Sequence, residues 1–132
     1  MDIIDIKTNK REEFIDITGI IDTYVRNNRL DNCILLIYSP HTTCGLTINE
    51  HADPDVKNDM IRKLKELIPK NDEYKHIEGN SDAHIKTSII GNRITVIVEN
   101  GSVKLGRWQG IFLTEFDGPR NRKIWLKPMM TR

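Results

Sequence analysis

Neither sign of charge dominates this 132-residue chain: 20 Lys and Arg stand against 19 Asp and Glu, a formal net charge of +1. Without a field of one sign, bulk binding to nucleic acid or another polyanion is disfavoured as the main task. Long apolar runs are missing as well. No stretch approaches the ~18 apolar residues of a membrane span, and the opening MDIIDIKTNK carries acids where a secretory leader needs basic residues. A soluble cytoplasmic protein is expected, with neither membrane nor nucleic acid among its partners. Cysteine is scarce. Cys33 and Cys44 both sit in apolar or small-residue surroundings, which predicts reduced, buried thiols in preference to a disulfide. Zinc signatures are absent too: neither HExxH nor paired CxxC occurs, and there is no internal repeat or linker.

What remains is enough for one domain spanning 1–132. A chain of this length buries roughly two thirds of the surface its unfolded form exposes, so folding requires no metal or disulfide. DIIDIK (2–7) alternates acid and isoleucine, the pattern of a half-buried strand, and EEFIDI is expected to pair with it across the polar TNKR turn. The period then changes. Ile17, Ile20, Ile21, Tyr24 and Val25 share one face of a helix over about Thr18–Arg26. CILLIYS (33–39) is a continuous apolar run suited to a central strand, ended by Pro40, and CGLTINE continues as a second strand. In ADPDVKNDMIRKLKELI, Asp53 is placed to cap a helix with Pro54 at its first position and a stripe of Val56, Met60, Leu64 and Leu67. A further helix is predicted from Asn80 or Ser81, with Ala83, Ile85 and Ile89 as its apolar positions and Gly91 at its close. RITVIVE reads as a strand leaving through the ENGSV turn, and WQGIFLTEF and RKIWLK as strands around DGPRN. The sum is an α+β domain with about three helices and a large mixed, mostly antiparallel sheet.

Three polar stretches carry the candidate chemistry. In SPHTTCGLTINEHADPD, His41 follows a strand end and precedes Thr42 and Thr43, a set able to present a ring nitrogen and two hydroxyls to a ligand. The competing reading makes these ordinary strand threonines, given their β-propensity, and His41 an exposed loop residue. Glu50 ends a strand without a structural duty, so a base or cation ligand is expected there, whereas Asp53 is explained as a cap. In HIEGNSDAHIKTS, a helix starting at Asn80–Ser81 points its free N–H groups at whatever precedes it, an arrangement that suits phosphate. Asp82 and His84 are two apart and meet only if that helix end projects into a cleft. A capped helix with incidental histidines explains the same stretch equally well. In ENGSVKLGRWQGIFLTEFDGPRNRK, Trp108 reads as a core anchor and Gln109 as a ligand-contacting amide. Arg107 is placed to grip phosphate. Arg120, Arg122 and Lys123 read as a surface charge run.

PHTTCGLTINEHADPDV, HIEGNSDAHIKTS and VENGSVKLGRWQGIFLTEFDGPRNRK, in this order, resemble the YjbQ family, also described as secondary thiamine-phosphate synthases. The resemblance runs from about Asp2 to Lys127, and the strings NSDAH and LGxWQGI–EFDGPR make it specific. It implies a compact α+β fold, a homotrimer, and a weak activity joining a pyrimidine pyrophosphate to a thiazole phosphate with release of pyrophosphate. The family's recurrent polar positions fall here on His41, Thr42, Thr43, Asn49, Glu50, Asp53, His76, Asn80, Ser81, Asp82, His84, Glu99, Gly101, Trp108 and Gln109. His51 stands where relatives commonly carry asparagine or glycine, which removes it from the candidate site.

The chemistry so implied needs stabilisation of negative charge on departing pyrophosphate, because the thiazole nitrogen is already a nucleophile. Asp82, His84 and Glu50 are the expected catalytic residues. Thr42, Thr43, Asn49, Asn80, Ser81, Arg107 and Gln109 are the expected contacts to a phosphorylated small molecule. A divalent metal is expected in one of two forms: Mg2+ held by Glu50 and Asp82, or a transition metal such as Zn2+ held by His41, His76 and His84. Two other functions fit the same residues: noncatalytic binding of a phosphorylated small molecule, and metal-dependent phosphoester hydrolysis.

Overall fold

Alternation of isoleucine with acids makes DIIDIK the first strand, β1 (Asp2–Lys7), of the computed structural model, which describes residues 1–131. The chain continues as β2 (Glu13–Asp16), α1 (Thr18–Asn27), β3 (Cys33–Tyr38), β4 (Cys44–Glu50), α2 (Pro54–Leu67) and α3 (Ser81–Ile90). It closes with β5 (Arg93–Glu99), β6 (Ser102–Lys104), β7 (Gln109–Glu115) and β8 (Asn121–Met130). The α+β architecture with three helices is as expected, but the strands divide into two sheets, ordered β1-β8-β3-β5-β6 and β2-β7-β4, with every pairing antiparallel. The expected β1–β2 hairpin does not form: β1 pairs with β8 and β2 with β7. A short polar turn permits a hairpin without imposing one, and here the chain uses it to cross between sheets.

The two sheets enclose the main core. Leu35 and Ile37 of β3 and Ile124 and Leu126 of β8 meet Leu46 of β4 and Ile111 and Leu113 of β7, while α1 closes the side with Ile21, Tyr24 and Val25. Phe112 lies between Ile111 and Leu113, so strand alternation sends it to the opposite face of β7. There it joins Phe14, Phe116 and Ala83 in a second core covered by Met60, Ile61 and Leu64 of α2. Each fully buried Leu, Ile or Phe is worth about 1.5–3 kcal/mol, so β7, buried on both faces, is the central seam. The β5–β6 connection is a tight turn with Asn100 and Gly101 both at positive φ (52° and 77°), as ENGSV predicted.

Helices α2 and α3 depart from the expected pattern. Asp53 does cap α2, its side chain accepting the Asp55 N–H at 2.9 Å. Yet α2 buries no residue fully, and Leu67 lies exposed while Ile61 takes its place in the packing. In α3, Ala83 is buried as expected, but Asp82, Lys86 and Thr87 are buried with it, whereas Ile85 and Ile89 are exposed. An ion network, described below, sets that helix's rotation. No helix of the described residues is long and apolar enough to cross a membrane.

The outer face of the five-stranded sheet carries an apolar patch, set among charged residues such as Asp5, Lys123 and Lys127, that nothing among the described residues covers. Ile3 pairs across from Trp125, Trp125 from Tyr38, and Ile34 from both Met129 and Ile97. Tyr38 and Trp125 stack at 5.5 Å with planes 16° apart.

Candidate anion-binding pocket

Strand endings build the pocket. β3 stops at Tyr38, with Pro40 two residues on, whereas β8 begins at Asn121. The register that sets Tyr38 opposite Trp125 leaves the Lys123 N–H without a β3 partner, because its ladder position would fall on Pro40. The His41 ring takes that place, and its Nε2 accepts the Lys123 N–H at 2.9 Å. The loop carrying His41 is held by Ser39, whose hydroxyl donates to the Cys44 carbonyl at 2.6 Å and accepts the His41 N–H at 3.3 Å.

Behind the histidine lies a buried charged layer. Arg122, 4% exposed, donates from Nε to Glu115 at 2.8 Å and from Nη2 to the Thr43 hydroxyl at 2.9 Å, with a further close Nη2 contact to Glu115. Glu115 also accepts the Thr8 hydroxyl at 2.7 Å. Beside it, Asn80 at the start of α3 donates to the Asp117 carboxylate at 2.9 Å, which Arg120 holds from the other side at 3.0 Å. Desolvation pulls the His41 pKa below the usual imidazole value, and the Arg122 charge adds to the effect. Burial pushes the Cys44 thiol up to about 12, which makes it an inert core group.

These elements converge on a cavity of about 330 Å³ lined by His41, Thr42, Thr43, Asn80, His84, Arg120 and Arg122, among others. A neighbouring hollow of about 400 Å³ adds Thr87 and Ser88 beside His41, Thr42 and His84. A third, of about 480 Å³, lies among Tyr74, His76, Ser81, His84 and Ile85. His84 borders all three. Its ring meets that of His76 edge to face, 5.5 Å between centroids and 88° between planes.

Of the expected site residues, His41, Thr42, Thr43, Asn80 and His84 share one cavity, and His76 and Ser81 border the next, joined to it through His84. The rest do not join them. Glu50 ends β4, six residues from Cys44 and so roughly 20 Å from the His41 end. It pairs with Gln109, and its carboxylate accepts the Asp53 N–H at 3.3 Å. The expected gathering of Glu50 with the histidines is therefore corrected: within one chain they occupy opposite ends of the three-stranded sheet. Asn49 sits beside Glu50, and Gln109 folds back to accept the Gly106 N–H at 2.7 Å. Arg107 lies over the Trp108 ring at 4.9 Å, and Trp108 is 54% exposed, so it is no core anchor.

Asp82 is fully buried and lines none of these three cavities. Its carboxylate accepts from Arg11 at 3.0 and 3.2 Å and from Lys86 at 2.9 Å, and Lys86 in turn bonds Glu12 at 2.7 Å. Burial raises its pKa, but the hydrogen bonds and charges of Arg11 and Lys86 outweigh that and hold it below the ordinary carboxylate value. Its place is structural: it pins α3 to the loop between β1 and β2.

The expected metal sets do not fit. No three His, Cys, Asp or Glu side chains among the described residues come within reach of one ion. The His41 Nε2 lone pair is already engaged by a backbone N–H, the buried Asp82 carboxylate is taken up by Arg11 and Lys86, and that of Glu50 turns to the Asp53 N–H.

Arg122 and Arg120, expected in a surface charge run, instead line the cavity, Arg122 as a buried group; Asp117, Glu115 and Thr87 were not expected there at all. A signal for the burial of Arg122 was present. On a strand, Arg122 shares a face with Ile124 and Leu126, which the alternation sends inward.

The family model described as UPF0047 protein YjbQ-like matches residues 2–131. The chain is 55% identical to UPF0047 protein MJ1081 of Methanocaldococcus jannaschii over 92% of this chain and 88% of that protein. It is 50% identical to UPF0047 protein YugU of Bacillus subtilis over 96% of each. A crystal structure of a conserved protein of the same family from Clostridium acetobutylicum superposes with a TM-score of 0.94 at 46% identity, covering 98% of this chain and 100% of that one.

Proposed function

The chain belongs to the YjbQ-like UPF0047 family, and on that premise we propose that its pocket holds a phosphorylated small molecule and displaces pyrophosphate, in the manner of a thiamine-phosphate synthase. One observation carries this reading: two arginines, two histidines and two threonines from separate elements line a single cavity of about 330 Å³. Donors arranged in advance around a growing negative charge are the means by which such a displacement is accelerated. In the reaction, the ring nitrogen of the thiazole phosphate donates its electron pair to the CH2 of the pyrimidine pyrophosphate. The carbon–oxygen bond breaks, the pair leaves on pyrophosphate, and the new N–C bond places a positive charge on the thiazolium. Arg120 and Arg122 supply cations to the leaving group, His41 a hydrogen bond, and His84, whose ring makes no hydrogen bond among the described residues, the mobile proton.

The proposal extends to assembly as a homotrimer. The bare apolar patch on the outer face of the five-stranded sheet, with Ile3, Ile97 and Met129 at 53%, 50% and 67% exposure, is the support for it. Cytoplasmic residence fits the two free, buried thiols of Cys33 and Cys44.

The test is release of pyrophosphate from the two substrates mixed with the protein. His84→Ala is expected to lower turnover about 100-fold or more with unfolding unchanged. Saturable pyrophosphate binding without turnover would convert the reading to a noncatalytic binder. Full activity in the His84→Ala variant would overturn the assignment of the site.

A further inference from the structure

The His41 ring has a property that follows from where β3 stops. A neutral imidazole carries one proton, and the nitrogen that accepts a hydrogen bond is the one without it. The Lys123 backbone N–H donates to Nε2 at 2.9 Å. An amide cannot reverse that role, so the proton resides on Nδ1. The imidazolium form would set an N–H against an N–H and lose the contact altogether. Nothing among the described residues accepts from Nδ1, and the ring borders both cavities that contain Thr42 and His84. The charged groups around it are Arg122, paired with Glu115, Arg120, paired with Asp117, and Glu78; Asp117 and Glu78 line the cavity with the arginines, and His84 borders it as well.

We propose that His41 is a neutral hydrogen-bond donor to a bound phosphoryl oxygen, its Nδ1–H tautomer imposed by the Lys123 backbone amide, and that the pocket takes this anion without a metal on His41. This rests on the reading of the pocket as an anion site and says how that site recognises its ligand. A metal would need an unprotonated nitrogen facing the cavity, and the backbone has taken the one available. An oxyanion needs what remains, a donor. Arg122 beside it cannot give up its proton at neutral pH, so the pair offers donors only and selects ligand oxygens that accept. Desolvation and the Arg122 charge both favour the neutral ring.

The experiment uses full-length, 15N-histidine-labelled protein stripped of metal, with inorganic pyrophosphate as the probe. Long-range 1H–15N spectra are expected to show His41 as the Nδ1–H tautomer, and pyrophosphate is expected to move the Nδ1–H resonance without added metal. His41→Ala should weaken pyrophosphate binding about 10-fold. His41→Asn, whose amide places a donor near Nδ1, should retain more of the binding than His41→Ala. An Nε2–H tautomer, or binding that appears only with added Zn2+ or Mg2+, would overturn the inference and leave the anion pocket standing. Absence of pyrophosphate binding with or without metal would overturn the pocket reading itself, and this inference with it.

Discussion

Replacing Asp82 by alanine removes the carboxylate that both fixes the rotation of α3 and neutralises Lys86. Its side chain is fully buried and accepts three charge-assisted hydrogen bonds, two from Arg11 and one from Lys86. Breaking a buried pair by removing one partner costs about 3–5 kcal/mol, because the remaining charge stays desolvated. Two features place this case at the lower end. Lys86 retains Glu12 at 2.7 Å, and Arg11, 27% exposed at its side chain, can turn to water. A loss of about 3 kcal/mol is expected at neutral pH, which with a urea m-value of about 2 kcal/mol/M lowers the midpoint by about 1.5 M. The pH dependence has a definite sign. The carboxyl pKa is lower in the folded state than in the unfolded one, so its contribution is fully present above about pH 4, the unfolded value. It disappears as pH falls through the folded value. The gap between wild type and Asp82→Ala should therefore be constant from pH 5 to 7 and close in stronger acid. Removing the stranded charge as well, in Asp82→Ala with Lys86→Met, should recover part of the loss. Urea unfolding followed by circular dichroism measures all of this. A variant within about 0.5 kcal/mol of wild type at pH 7, or a gap that persists unchanged in acid, would refute the structural role and restore Asp82 as a candidate for the chemistry.

Two further outcomes probe the packing. Gly45→Ala would set a Cβ into overlap with the Gly91 carbonyl oxygen and 3.0 Å from the Thr114 hydroxyl. With backbone on the receiving side the strand must shift, so a loss of about 2 kcal/mol or more is expected in thermal unfolding, and an unchanged midpoint would contradict the close approach of β4 to the end of α3. Leu36→Glu places a charge in the bare face of the five-stranded sheet, opposite Thr95 and Lys127. Sedimentation should then report the 15.3 kDa of one chain with secondary structure intact, whereas a wild type that already runs at that mass would show the face to have another use.

Local rules sufficed for the parts of this protein that obey them. The alternation in DIIDIK, the apolar run CILLIY, the Asp53–Pro54 helix start and the Asn100–Gly101 turn each depend on a few neighbouring residues, and each formed as read. The grouping of His41, Thr42, Thr43, Asn80 and His84 was legible for a related reason: strand ends and helix starts are where polar side chains meet. Partnership between distant segments was not legible. Which strands pair, and that eight strands make two sheets, follows from how apolar faces fit one another across the whole chain. The rotation of α3 was decided by Arg11 and Glu12, some seventy residues earlier, so that Ile85 and Ile89 of its apolar pattern are exposed. Glu50 looked like a partner of the histidines because both are polar strand-end residues, yet they cap opposite ends of one strand and the loop before it. Neighbouring residues alone were enough to define the segments and to mark the polar strand end and helix start from which the pocket is built. Which of those groups face the cavity, and which hydrogen-bond partners each one takes, was settled by the packing of distant segments, because burial and hydrogen-bond partners are properties of contacts that no single stretch contains.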